Sequence, residues 1–163
     1  MIGVALALDG TQHIPGADRL ARELAALAVP RALFSHASQA EARRAAAEAG
    51  LGGAVLAPLC FPAICDSLGL PADRIWIVSS DWEGTLKAAA PYGFRLVYVS
   101  DGSGATAASA LAARAAVVPR VDDVLELIRE PYTRSLLMLR HLMRTALEWR
   151  PGHVITPEDA VES

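Results

Sequence analysis

Short apolar runs alternate with alanine-rich stretches of helical spacing through the first 130 residues, and this alternation restricts the chain to one kind of architecture. A strand that continues into a parallel neighbour needs a crossover, and the crossover covers a face of the sheet. The pattern therefore predicts an α/β chain, a three-layer Rossmann-like sandwich with a parallel sheet between helices. Strands are expected near residues 3–8, 31–35, 53–56, 74–79, 95–99 and 116–118, and helices near 16–28, 37–49, 60–68, 82–91, 105–114 and 121–129. Ser38 stands three residues before Glu41, the spacing of a capping box. Gly50 follows where a left-handed residue ends a helix, and Pro71 and Gly93 punctuate the next units. The run IWIVSS is almost continuously apolar, as suits a central strand covered on both faces. Right-handed crossovers then bring Asp9, Ser35 and the Ser80-Asp81 pair to the carboxyl ends of adjacent strands.

Composition narrows the function classes. Hydrophobic residues make up 53% of 163 and charged residues 20%, the balance of a chain with a packed core. The formal charge of −3, with no basic block and few aromatics, argues against nucleic acid as a partner. Apolar runs fall well short of a membrane span, and the N-terminus reads as a strand rather than a signal peptide, so a cytoplasmic protein is expected. Cys60 and Cys65 sit in apolar sequence and are expected as buried, reduced thiols without the spacing of a zinc site. Lys87 is the one lysine among fifteen basic side chains.

Beyond residue 130 the character changes, so the chain is read as a core over 1–130 and a C-terminal helix with tail over 131–163. Leu136, Leu139, Met143 and Ala146 recur at helical spacing, and Leu137, Leu142 and Trp149 widen the stripe. This helix either packs on the sheet or joins a second copy or a protein partner through residues 132–149. Thr156 and Pro157 have the form of a cap for a short terminal turn.

Four places carry chemistry in their order and spacing. The first is ALALDGT, a strand running into Asp9-Gly10-Thr11; the second is LFSHAS, where Ser35 ends a strand with His36 beside it. PADRIWIVSSDWEGTLKAAAPYGF and AAVVPRVDDVLELI are the third and fourth. Taken singly these are ordinary: Asp-Gly-Thr is a common turn, and Ser35 and Asp81 suit helix starts. Taken together, over roughly residues 1–130, they resemble the haloacid dehalogenase-like (HAD) superfamily. The wording VSSDW is similar to its L-2-haloacid dehalogenase branch.

The resemblance implies a hydrolase motif D-x-D-G-T, in which the first Asp is the nucleophile and the second a general acid/base. Here Ala7 holds the first position and Asp9 the second. Ser35 matches the motif II hydroxyl that bonds a phosphoryl group or a carboxylate. In the motif IV pattern G-D-x-x-x-D, Ser80 replaces the Gly, Asp81 keeps the first Asp and Thr85 replaces the second. Ala57-Pro58 stands where family members carry Lys-Pro. An aspartyl-ester mechanism needs a carboxylate to attack and a cation to offset its charge. Nucleophile, cation and second acid are thus missing together, and too few residues separate Asp9 from Ser35 for a cap domain.

The expectation that follows is a capless HAD-like protein that is not catalytic and acts as a binding, structural or regulatory partner. The alternative is a HAD-type phosphatase or dehalogenase with a rearranged site built on Asp9, assisted by His13 or His36. Candidate residues are Asp9 and Ser35 for residual chemistry, and Gly10, Thr11, Ser35, His36 and Ser80 for ligand binding. Asp9 and Asp81 could form a weak Mg2+ site, although no cofactor is required.

Overall fold

The structure is a computed structural model that describes residues 1–8, 16–100 and 102–129. The chain divides into two units, Met1–Leu125 and Glu126–Ser163. The architecture below is that of the first unit; in the second, residues 126–129 are helical. The expectations placed on Asp9, Gly10, Thr11 and His13, and on the helix through 132–149, lie outside the described residues.

Six parallel strands form one sheet in the order β3-β2-β1-β4-β5-β6. They are β1 Gly3–Ala7, β2 Arg31–Phe34, β3 Ala54–Leu56, β4 Ile75–Ser79, β5 Arg95–Val99 and β6 Ala116–Val118. The helices between them are α1 Ala17–Ala26, α2 Gln39–Glu48, α3 Phe61–Leu68, α4 Lys87–Ala89 and α5 Gly104–Ala112. The order reverses direction between β1 and β4, the geometry of a doubly wound α/β sheet, and the cleft of such folds lies at the carboxyl ends beside that reversal. The three-layer α/β reading is what the chain adopts.

The central strands are buried because helices cover both faces. β1 pairs with β2 and β4 on either side, Ala7 opposite Phe34 and Leu6 opposite Val78. Every residue of β1 is buried, and β4 is buried except at Trp76. Alternation along each strand divides the core. One face gathers Ala5, Ala7, Phe34, Ile75, Ile77 and Tyr98 with Ile64 of α3 and Leu86. Burial of this kind contributes about 25 cal/mol per Å² of apolar surface and dominates the stability.

Local signals set the helix ends. The Ser38 side chain accepts from the Glu41 backbone N–H at 3.4 Å, and the Glu41 carboxylate accepts from the Ser38 N–H at 3.1 Å. Gly50 closes the far end of α2 with φ of 68°. Two features differ from the sequence reading. The helix expected over 82–91 is a wide π-type turn, Trp82–Leu86, then α4, then a 3-10 turn, Ala90–Tyr92. The cause is a bond from the Leu86 N–H to the Asp81 carbonyl at 3.2 Å, one residue longer than an α-turn. Cys60 is exposed and Cys65 half-buried, both as free thiols, rather than buried. Cys60 occupies the N-cap of α3 beyond the edge strand β3, where little packs over it.

Candidate functional site

The carboxyl ends of β2 and β4 flank that of β1, and the residues just beyond them make a connected polar edge. Ser35 follows β2 and is 2% exposed. Its N–H continues the strand pairing to the Leu56 carbonyl at 3.1 Å, and its Oγ accepts from the Ala37 N–H at 3.0 Å. The next residue, His36, is exposed.

Beyond β4 the chain makes two nested turns. Ser79 is buried, and its Oγ accepts from the Asp81 N–H at 3.0 Å. Asp81 then caps the wide turn. Its Oδ1 accepts from the Gly84 N–H at 2.9 Å and its Oδ2 from the Thr85 hydroxyl at 3.1 Å. Glycine at 84 leaves room for the Asp81 carboxylate, which an added Cβ would push aside. Ser80, half-buried, lies between the two turns.

Thr85 ties this edge together. Its side chain is fully buried, and its Oγ1 stands 3.2 Å from His36 Nε2 as well as on Asp81. A continuous path of hydrogen bonds thus runs from the tip of β4, through Asp81 and Thr85, to His36 at the tip of β2. Trp82 packs beneath it, 6% exposed, with its ring edge-on to Tyr98 at 6.5 Å.

The structure therefore brings together Ser35, His36 and Asp81, with Ser80 adjacent. The path through Thr85 was missed because His36 and Thr85 are 49 residues apart in sequence. One signal for half of it was available: Asp81 and Thr85 are four residues apart, the spacing that puts two side chains on one helical face.

No cation is supplied from the positions the resemblance names. Lys87 is largely exposed and pairs with Glu83 at 3.1 Å on the surface. Around Ala57, backbone order comes instead from Gln39, whose amide donates to the Val55 carbonyl at 2.9 Å and accepts from the Ala57 N–H at 3.1 Å. Ala7 is 1% exposed and belongs to the apolar cluster.

Among the described residues no three His, Cys, Asp or Glu side chains are grouped to hold a metal ion. A cavity of about 480 Å³ lies elsewhere, at the amino ends of β4, β5 and β6, between Trp76, Phe94 and Arg114. Its Arg95 is committed to structure, 5.3 Å over the Trp76 ring with Nε donating to the Asp73 carbonyl at 2.9 Å.

Away from the β2–β4 edge, Asp122 is 7% exposed and joins Arg120 at 3.0 Å to Arg19 of α1 at 3.1 Å. The Arg120 hydrogen bond, helped by the charges of Arg120 and Arg19, holds the Asp122 carboxyl below the usual carboxylate range against the opposing effect of burial. Among the described residues no helix is long and apolar enough to cross a membrane.

No protein-family model matches the sequence, and no curated protein matches it. Solved structures do. A HAD family hydrolase from Deinococcus radiodurans R1, with bound phosphate and sodium, is 21% identical over 72% of this chain and 59% of its own, with a TM-score of 0.59. A protein from Thermotoga maritima assigned as a beta-phosphoglucomutase is 18% identical over 71% of this chain and 59% of its own, with a TM-score of 0.55. The chain spans less than two thirds of the length of either. With its six parallel strands and flanking helices, this chain has the fold of the HAD hydrolases.

Proposed function

We propose that this chain is a HAD-superfamily relative, nearest the L-2-haloacid dehalogenase branch, that binds a ligand at the carboxyl edge of β1, β2 and β4 without forming an aspartyl ester. The observation that carries this reading is Ala7. At the position where the resemblance puts the attacking carboxylate stands a methyl group, 1% exposed in the apolar core. A methyl group cannot attack phosphorus or carbon. Thr85 in place of the second motif IV acid, and Lys87 paired on the surface with Glu83, support it further. Fold alone does not transfer activity, so the residues decide.

On this reading the protein is a capless, cytoplasmic binding or regulatory partner that requires no cofactor. Its apolar stripe over 132–149 serves a second copy or a protein partner. The purified chain, given magnesium and panels of phosphomonoesters and 2-haloacids, is expected to turn over neither. Turnover that disappears in Asp9→Asn overturns the proposal.

One observation favours a second reading. The hydrogen-bonded path from Asp81 to His36 is the kind of arrangement that orients a proton-transfer group. A rearranged hydrolase would use it beside Asp9, and the same Asp9→Asn comparison distinguishes that reading from the first.

A further inference from the structure

The cavity at the amino ends of β4, β5 and β6 lies at the other end of the sheet from the β2–β4 edge, and its wall holds an uneven set of groups. Phe94, Leu96 and four alanines give it apolar sides. Its polar side chains are Trp76, Arg95 and Arg114, and all three only donate hydrogen bonds. No Asp or Glu lines it, although the chain as a whole carries a charge of −3. Arg95 spends Nε on the Asp73 carbonyl, and its two terminal nitrogens have no acceptor among the described residues. The exposed Arg114 side chain has neither a hydrogen bond nor an ion pair among them. Trp76 Nε1 is a buried donor without an acceptor among the described residues, an exception of the kind that calls for an explanation.

We propose that this cavity is a second ligand site and that it takes a small aromatic carboxylate. A carboxylate only accepts, and its two oxygens match the fork of a guanidinium, so it suits a wall whose side chains only donate. Two cations lining one cavity repel each other, and a bound anion offsets that repulsion. The ring of the ligand covers Phe94, Leu96 and the alanines, apolar surface that a bare inorganic anion leaves unused. The volume of about 480 Å³ falls within the span of small-molecule sites, roughly 300–1,000 Å³. The site is independent of the β2–β4 edge and of whether any ester forms there.

Proton–nitrogen NMR of the full-length labelled protein, titrated with sodium benzoate, tests this site. The Trp76 indole signal is assigned by its loss in Trp76→Phe. Benzoate is expected to shift that signal and the amides of residues 113–116 saturably. Benzamide, of the same shape without the charge, is expected to bind about tenfold more weakly or worse, and inorganic phosphate not to reproduce the shift. Arg114→Gln, a change at an exposed side chain, is expected to weaken benzoate by a similar factor with the spectrum otherwise native. Arg95→Lys keeps the charge but loses the fork, and is expected to weaken it as well. A response that never saturates, benzamide binding as tightly as benzoate, phosphate giving the same shift, or unchanged affinity in Arg114→Gln overturns the inference. So does a response centred on Trp82 or Trp149 in place of Trp76. Turnover in the phosphomonoester and 2-haloacid panels leaves each of these outcomes untouched.

Discussion

Asp122 illustrates how single side chains support the rim of this sheet. Its carboxylate is 7% exposed yet ionised, because Arg120 and Arg19 both reach it. Its folded pKa lies below the ordinary Asp value of about 3.9. A depressed folded pKa means the folded state holds the charged form more tightly than the unfolded chain does. Its contribution is therefore complete above the ordinary carboxylate range and is lost as pH falls through the lower folded value. Asp122→Asn should lower the urea midpoint at neutral pH and reduce the further loss on acidification below about pH 4 relative to wild type. Parallel acid limbs for the two proteins would show that the Arg120 and Arg19 contacts do not act through this charge. Gly16 belongs to the same arrangement: with φ of 92°, it lies where a Cβ would press on the Asp122 carboxylate at 2.7 Å.

At the scale of elements, the helix start of α2 and the turn after β4 show two different relations between sequence and form. The capping box is local, and both of its bonds follow from residues three apart. Ser38→Ala should destabilise the protein by about 1 kcal/mol in urea unfolding, by leaving a first-turn N–H without its acceptor. An unchanged midpoint would mean water replaces the hydroxyl at no cost. The turn at Trp82–Leu86 is different. The apolar spacing of residues 82–91 is compatible with a plain α-helix, and nothing local announces the extra residue in the turn. The widening goes with Asp81 accepting from Gly84 and Thr85 at once, while Thr85 reaches a histidine on another strand. Strands were legible to within about a residue or two because each is a short apolar run bounded by Gly, Pro or polar residues. The polar path was not, because Thr85 reads as a lost acid until the fold sets His36 against it. Cys60 was misread for a similar reason, its apolar neighbours in sequence being no guide to an N-cap at a sheet edge.

On the proposed reading, fold and reaction separate in the molecule as a whole. The strand order and flanking helices are those of the HAD hydrolases, yet the last residue of β1 is an alanine sealed in the core. The carboxyl edge of β2 and β4 carries a set of hydrogen-bonding groups held by their own turns. The central claim is that no carboxylate here becomes an ester. Incubation with 2-haloacids in water enriched in the heavy oxygen isotope, followed by peptide mass spectrometry, tests it directly, since an ester between a carboxylate and the haloacid carbon, hydrolysed at its carbonyl, leaves solvent oxygen in the carboxylate that attacked. The account predicts peptides of unaltered mass, the Asp9 peptide included. Heavy oxygen accumulating in Asp9, and absent from Asp9→Asn protein treated alike, would contradict it.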